Sequence, residues 1–271
     1  MRNPVVLDAD GPPMLDRLIG DITDVARRTV PRGSLVWRIL ARCRGGWLAA
    51  QAYYQRNPLS QRTWARRESE FDRLITRLSA ATPDFLVIQI GACDGLMADP
   101  IHAWIEKSHW RGVLVEPQRA EFERLKNTYR NELDRIVLEN VAIADSEGTR
   151  TLYRVKDSEL TANWERGTAS LLHRPDPERF TAEVVPCITL ETLLTRHQVS
   201  RIDLLQVDVE GYDFEIIKLI NFEKIRPRLI RYEHRHLRPR DKHACRALLA
   251  RHGYRIFEMQ FDTAAALETN H

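Results

Sequence analysis

The sequence lacks the features that mark membrane-spanning, secreted and disulfide-bonded proteins. No stretch of its 271 residues approaches the roughly 20 consecutive apolar residues that a membrane-spanning helix needs. The N-terminal segment MRNPVVLDADGPP carries acidic residues and no apolar core, so we expect no secretory signal. The four cysteines are far apart and form no C-x-x-C pair, which argues against a disulfide framework and a zinc knuckle. These absences predict a cytoplasmic protein with reduced cysteines.

Lysine is absent from the first 80 residues, although arginine is frequent there. This segment has 14 arginines and 8 acidic residues, a net charge of +6, whereas residues 81–271 have a net charge of −3. Solvated arginine-rich helix faces are the simpler explanation. The functional explanation is attraction to an acidic substrate, a membrane surface or nucleic acid.

The first 82 residues are predicted to form a basic helical arm. Apolar residues recur at helical spacing in three segments before residue 80. Thr82-Pro83 ends this helical region, because the residue before a proline is disfavoured in the helical conformation. We therefore predict an arm over residues 1–82 and a separate domain over residues 83–271.

Strand-like and helix-like segments alternate from residue 84 onward. Short, nearly continuous apolar runs such as Phe85–Ile90 predict strands that are buried on both faces. The last predicted strand is Tyr254–Phe261. An insertion near residues 146–188 interrupts the alternation with two strands that flank a polar loop. The pattern predicts an α/β protein with a Rossmann-like, doubly wound, mostly parallel sheet.

Candidate ligand-binding residues lie where the first two predicted strands end, which is where open parallel sheets bind ligands. In the turn IGACDG, Gly91 would let the backbone approach a ligand, and Asp94 is placed to accept hydrogen bonds from an amino group. Glu116 ends the second strand, 21 residues after Gly95, where an acid accepts both ribose hydroxyls of a nucleoside. The glycine spacing G-x-x-x-G, rather than G-x-G-x-x-G, favours a single nucleoside over a dinucleotide. Taken singly, the glycines could simply form a tight turn, and Glu116 could simply be a surface acid.

Ionisable residues follow the next two strands of the predicted sheet. Asp208 and Glu210 lie in QVDVEGY, and Glu233 and His234 lie in YEHRH. Because neighbouring strand ends converge, we expect these residues to cluster beside Gly91. Burying an unpaired carboxylate is costly, so Asp208 needs a hydrogen-bond donor, a cation or a ligand. An ion-pair network with the surrounding arginines is the structural alternative.

Six motifs, in order, resemble those of the FkbM family of methyltransferases. They are VIQIGACDG, LVEP, ENVAIAD, VPCITLETLL, IDLLQVDVEGYDFEII and LIRYEHRHL, and the similarity spans roughly residues 85–262. The resemblance implies a class I methyltransferase fold, S-adenosylmethionine as the cofactor, and O-methylation as the reaction. It implies cofactor binding by Gly91, Asp94, Gly95 and Glu116, with Asn140 and Ala142 near the adenosine and Asp208 near the methionine end. The predicted N-terminal helical extension lies outside the match. Gln206 departs from the family, whose members commonly have lysine at that position.

The reaction needs alignment of the acceptor with the methyl group and removal of the hydroxyl proton. His234 is the preferred general base, followed by Glu210 and Glu233 and then by His236. Magnesium bound by Asp208, Glu233 and His234 is a second hypothesis, because this layout is similar to that of catechol O-methyltransferase. A bound metal would lower the pKa of the substrate hydroxyl.

The sequence therefore predicts an O-methyltransferase that acts on a hydroxyl of a small metabolite, sugar, glycolipid or polyketide-type acceptor. The polar insertion over residues 157–177 carries Trp164, Ser170 and His173, and we expect it to cover the acceptor.

Two other classes of function stay open. A non-enzymatic protein would use the basic arm to bind RNA or a membrane surface, since residues 34–56 carry tryptophans and tyrosines among arginines. Packing of these aromatics on the domain or on a second subunit, in a homo-oligomer, is the simpler explanation. The α/β part has no RNP-like aromatic strand and no basic stripe, which disfavours nucleic acid. A nicotinamide-dependent oxidoreductase is disfavoured by the glycine spacing.

Overall fold

The computed structural model describes residues 58–174 and 176–268, so the first two predicted arm helices lie outside the described residues. The helices are α1 (Pro58–Ala80), α2 (His102–Ser108), α3 (Arg119–Thr128), α4 (Leu190–Arg196), α5 (Asp213–Lys218) and α6 (Pro239–Arg251). The strands are β1 (Leu86–Ile90), β2 (Arg111–Val115), β3 (Ile136–Glu139), β4 (Ala142–Ile143), β5 (Gly148–Val155), β6 (Phe180–Ile188), β7 (Leu204–Val207), β8 (Leu229–Glu233), β9 (Tyr254–Glu258) and β10 (Asp262–Leu267). Two 3₁₀ turns, Asp157–Glu159 and Asn163–Gly167, lie between β5 and β6.

Seven strands form the central sheet in the order β3-β2-β1-β7-β8-β10-β9. β1 pairs in parallel with β2 and β7, and these pair in parallel with β3 and β8. β10 runs in the direction opposite to the other six strands, so it pairs antiparallel with both β8 and β9. The direction of winding reverses between β1 and β7, which creates a crevice at their carboxyl ends. The predicted doubly wound, mostly parallel sheet is confirmed.

Helices cover both faces of this sheet, because its central strands are apolar on both sides. On one face, Leu193, Ile216 and Leu249 of α4, α5 and α6 pack in one buried cluster with residues of β1, β7 and β8. On the other face, Phe71 and Ile105 of α1 and α2 belong to a second cluster with other residues of the same strands.

The end of the chain differs from the prediction. Tyr254–Phe261 was predicted as one strand, whereas β9 ends at Glu258 and the chain turns back to form β10 between β8 and β9. The sequence of β10 is DTAAAL, and Ala264 and Ala265 are fully buried. Alanine has a low strand propensity, and burial on both faces removes the alternation of polar and apolar residues, so the pattern did not indicate a strand.

The insertion folds as an antiparallel hairpin of β5 and β6, and β4 extends it to a three-stranded sheet in the order β4-β6-β5. The hairpin-like pair of strands predicted from the sequence is therefore present. Its polar loop, which contains both 3₁₀ turns, lies above the carboxyl end of the central sheet, where residues 164–171 contribute to the cavity described below.

The helix α1 packs directly against the sheet. The rings of Phe71 and Phe257 are 5.9 Å apart, and Arg67 Nη1 donates a hydrogen bond to the carbonyl oxygen of Glu258 at 3.3 Å. The boundary at residue 82 between a helical arm and a separate α/β domain stays a prediction. Among the residues that the structure describes, no helix has the length and apolar character needed to cross a membrane.

Candidate active site

A cavity of about 380 Å³ lies at the carboxyl ends of β1, β2, β7 and β8, within the size range of small-molecule sites. It brings together most of the residues predicted from the sequence: Gly91, Glu116, Ala142, Asp208, Glu210, Glu233 and His236. Four predicted residues do not line it: Asp94, Gly95, Asn140 and His234.

The turn after β1 forms one wall of the cavity. Gly91 has a φ of +86°, and a Cβ atom at this position would collide with the carbonyl oxygen of Asp208. The amides of Gly91 and Ala92 both donate to the carbonyl oxygen of Val115, at 2.9 and 3.0 Å. Glycine is therefore required here, because the turn passes against the backbone that follows β7 and is tied to β2.

Glu116 is 3% exposed at the end of β2 and connects two segments of the cavity wall. Its Oε2 accepts from the amide of Cys93 and its Oε1 accepts from the amide of Gln118, both at 2.8 Å. Burial, with a smaller contribution from Glu121, raises the pKa of Glu116 to about 7, and these hydrogen bonds oppose the rise. The carboxylate is held rigidly at the position predicted for ribose recognition.

Asn140 supports this wall without lining the cavity. Its Nδ2 donates to the carbonyl oxygens of Glu116 at 2.8 Å and of Pro117 at 3.1 Å. Ala142, two residues further on, does line the cavity. The motif ENVAIAD therefore contributes one residue that faces the cavity and one that positions the end of β2.

Asp94 and Gly95, predicted to bind the cofactor, have structural roles in this fold. Asp94 Oδ1 accepts from the amides of Leu96 and Met97, and its Oδ2 lies 3.2 Å from Arg166 Nη2. Its carboxylate is thus engaged in shaping the loop. A Cβ atom at Gly95 would lie 2.6 Å from Tyr129 Cε2, so this glycine allows the turn to pack on the end of α3.

The acidic residues after β7 and β8 converge as predicted, with His236 among them. Its Nε2 lies 3.1 Å from Glu210 Oε2 and 3.7 Å from Glu233 Oε1. Glu210 and Glu233 are largely buried, with side-chain exposures of 14% and 12%. Asp208 also lines the cavity, and it is exposed.

Burial and mutual repulsion raise the pKa values of these carboxyl groups. Burial, followed by the neighbouring carboxylates of Asp208 and Glu210, raises the pKa of Glu233 to about 10. Enclosure by protein, together with Asp213 and Glu210, raises the pKa of Asp208 well above its ordinary value. Burial raises the pKa of Glu210 to about 7, although Arg174 and Arg235 oppose this effect. At neutral pH the cluster therefore retains protons that exposed carboxylic acids would release.

His234, the preferred base in the sequence analysis, does not reach the cavity. It is 7% exposed, and its Nδ1 lies 2.9 Å from Thr263 Oγ1 of β10. Burial lowers its pKa to about 3, with a further contribution from Lys242. The amides of His234 and Arg235 both donate to the carbonyl oxygen of Phe261, and this turn directs His234 toward β10. His236 faces the cavity instead, and burial, followed by Arg235, lowers its pKa to about 4.

The predicted metal ligands Asp208, Glu233 and His234 are not brought together as a set. Among the described residues, ligand atoms of Glu210, Glu233 and His236 lie within 4.8 Å of one another. Only Glu233 belongs to both sets. His234 is not part of the observed set because its side chain faces β10.

Asp213 is a residue of the site that the sequence analysis missed. It is fully buried at the start of α5, where its Oδ2 accepts from the amide of Gly211 at 3.0 Å and its Oδ1 accepts from the amide of Glu233 at 3.2 Å. Burial raises its pKa to about 8. This carboxyl group joins the loop after β7 to the end of β8, and so sets the spacing of Glu210 and Glu233. An acid at the start of a buried helix, three residues after Glu210, was the available signal.

The insertion covers the glycine turn as well as the acidic cluster. Trp164 and Ser170 line the cavity, whereas His173 packs edge-on against Tyr153 at a centroid distance of 5.1 Å. The carbonyl oxygen of Arg166 accepts from Gln118 Nε2 at 3.1 Å. Two of the three predicted residues therefore line the cavity, and the loop also contacts the segment that follows β2. That the insertion covers an acceptor stays a prediction.

Comparison with protein-family models gives a match over most of the α/β part of the chain. The family model described as the methyltransferase FkbM domain matches residues 89–256. None of the curated proteins matches the chain in sequence. A solved structure, methyltransferase FkbM from Methylobacillus flagellatus KT, is similar at 12% identity with a TM-score of 0.44, over 69% of this chain and 44% of that chain. The present chain therefore spans less than half the length of that protein.

Two further solved structures show similarity at comparable levels. The fibrillarin pre-rRNA processing protein of Methanococcus jannaschii is 10% identical, with a TM-score of 0.38 over 70% of this chain and 69% of that one. The human methyltransferase 10 domain containing protein is 11% identical, with a TM-score of 0.43 over 75% and 83% of the respective chains.

Replacement of Glu233 by glutamine is expected to raise the Tm, and to raise it more as pH increases from 5 to 8. The pKa of Glu233 is raised from 4.5 to about 10, so above about pH 4.5 the folded protein holds a proton that the unfolded chain has released. This difference costs up to about 1.4 kcal/mol per pH unit. Thermal unfolding of wild type, Glu233→Gln and the exposed control Glu223→Gln across this range would measure the effect. A Tm difference that stays constant or shrinks with pH would contradict the raised pKa.

Proposed function

The chain belongs to the FkbM methyltransferase family, and we propose that it transfers a methyl group from S-adenosylmethionine to a hydroxyl oxygen. The proposed acceptor is a small metabolite, a sugar, a glycolipid or a polyketide-type compound. The observation that supports this proposal is a single cavity that extends from Glu116 to the acidic residues Asp208, Glu210 and Glu233. Such a cavity has room for a nucleoside at one end and a reacting hydroxyl at the other.

The residues present fit S-adenosylmethionine. Glu116 offers a buried carboxylate to the ribose hydroxyls, the turn at Gly91 brings backbone close to the ligand, and Ala142 leaves space beside the adenosine. Bound S-adenosylmethionine supplies a methyl group on a positively charged sulfur atom. The acidic end of the cavity, which includes Asp208, is complementary to that charge.

We assign the removal of the hydroxyl proton to Glu210 rather than to His234. Glu210 lines the cavity, and its Oε2 is buried next to His236 Nε2. Its pKa of about 7 is matched to a general base at neutral pH. The proton passes to this oxygen as the acceptor oxygen forms its bond to the methyl carbon and the carbon–sulfur bond breaks, with its electron pair remaining on sulfur. His236, whose Nε2 lies 3.1 Å away, positions the carboxylate.

The other functions considered from the sequence have less support. The glycine spacing and the family assignment both disfavour a nicotinamide-dependent oxidoreductase. Binding of a membrane surface or RNA by the basic arm depends on residues outside the described part of the chain. A membrane-associated arm, a homo-oligomer and a cytoplasmic location therefore stay predictions.

Wild-type protein is expected to bind S-adenosylhomocysteine with micromolar affinity in calorimetric titrations. Replacement of Glu116 by glutamine should weaken this binding by about 10-fold or more, because hydrogen bonds to a charged group are lost. Glu106→Gln, a change on the exposed surface of α2, serves as the matched control and should bind as the wild type does. Binding of NAD(H) in place of S-adenosylhomocysteine would refute the proposed cofactor.

The rate of methyl transfer is expected to rise with pH through about 7, as Glu210 loses its proton. Replacement of Glu210 by glutamine should lower the rate by about 10²–10⁴-fold and abolish this rise. The measurement is the pH profile of kcat/KM with an acceptor identified from a panel of hydroxylated compounds. An unchanged pH profile in Glu210→Gln would show that another group is the base.

Activity is expected to survive exhaustive EDTA treatment, because Glu210 acts as the base without a metal ion. The alternative is a divalent cation bound by Glu210, Glu233 and His236, which would acidify the acceptor hydroxyl. Loss of activity with EDTA, restored by Mg²⁺, would favour that alternative.

A further inference from the structure

Two buried amide oxygens in the floor of the cavity have no hydrogen-bond donor. Gln89 of β1 and Gln206 of β7 are neighbours in register and are 3% and 2% exposed. The Oε1 atom of each lacks a partner among the described residues, and both side chains line the cavity. Buried polar atoms in proteins are almost always paired. The two oxygens therefore mark a place where a ligand supplies the donors.

The orientation of the Gln89 amide is determined by Asp99. Gln89 Nε2 donates to Asp99 Oδ2 at 3.1 Å, and the other oxygen of Asp99 accepts from the amides of Ile101 and His102. Because a carboxylate only accepts hydrogen bonds, the nitrogen of Gln89 must face Asp99 and the oxygen must face away from it. Since adjacent strands are about 4.8 Å apart, one small donor group can reach both glutamines.

The charges around these amides favour a cationic donor. Asp208 follows Gln206 by two residues, just past the end of β7, and lines the same cavity, and Asp99 contacts Gln89. Arg231 is the register neighbour of Gln206 on β8, but its Nε and Nη2 both donate to Asp262, at 2.9 and 2.7 Å. The positive charge of Arg231 is thus already paired, and the acids beside the amides favour a protonated amine.

We propose that Gln89 and Gln206 bind the protonated amino group at the methionine end of the cofactor. This inference rests on the proposed function, which places S-adenosylmethionine in the same cavity. Gly91 follows Gln89 by two residues, and Asp208 follows Gln206 by two residues. All four residues line the same cavity. An ammonium group has three N–H donors, enough for both amide oxygens and a carboxylate.

Calorimetric affinities for two probes test this assignment. S-adenosylhomocysteine carries the amino acid, whereas 5′-methylthioadenosine has the same nucleoside and sulfur without it. Gln89→Met and Gln206→Met should each weaken binding of S-adenosylhomocysteine by about 10–100-fold and change that of 5′-methylthioadenosine by less than about twofold. Gln206→Glu should bind S-adenosylhomocysteine at least as tightly as the wild type, because a carboxylate also accepts from an ammonium group. The exposed Gln198→Met is the matched control and should change neither affinity.

Three results would overturn the proposal. Unchanged affinity for S-adenosylhomocysteine in both methionine variants would show that the amino group binds elsewhere. Equal weakening of both probes would show that the variants distort the cavity rather than remove a specific contact. Failure of the wild type to bind either probe would refute the proposed function itself, and this inference with it. The three results are distinguishable within one set of titrations.

Discussion

The close passage of the turn after β1 against the backbone that follows β7 is the constraint on which the site depends. The amide of Asp208 donates to the carbonyl oxygen of Ile90 at 2.9 Å. The carbonyl oxygen of Asp208 leaves no room for a side chain at position 91. This contact brings the glycine turn after β1 and the acidic cluster into one cavity, although more than 100 residues separate them in the chain. Any side chain at Gly91 would force these two parts of the cavity apart.

The acidic cluster is built at a cost in stability. Asp208, Glu210 and Asp213 each raise the pKa of at least one other carboxyl group of the cluster, and all three raise the pKa of Glu233. Such repulsion is retained in proteins mainly where function requires it, since an apolar or amide-containing cluster would be more stable. A positively charged ligand relieves this repulsion, so the same charges that destabilise the ligand-free fold favour binding of a sulfonium or an ammonium group.

The sequence predicted those features that depend on local pattern. Apolar runs and the positions of their carboxyl ends were sufficient to place Gly91, Glu116 and Asp208 at one edge of a parallel sheet. The sequence did not predict that His236, rather than His234, faces the cavity. The path of the chain after β8 is determined by hydrogen bonds to the carbonyl oxygen of Phe261, which is distant in sequence. The unpaired amide oxygens in β1 and β7 were likewise invisible, since a missing partner is a property of the folded structure.

The position of β10 has a consequence for the order of folding. β9 and β10 are joined by a three-residue turn and pair antiparallel, so they form a local hairpin that closes rapidly. β10 nevertheless lies between β8 and β9, so β9 cannot dock beside β8 first without blocking the place of its successor. We infer that the hairpin docks as one unit. Asp262, which accepts hydrogen bonds from Arg231, and Phe261, whose carbonyl oxygen accepts from the amides of His234 and Arg235, both belong to this hairpin. This side of the cavity is therefore complete only when the hairpin is in place.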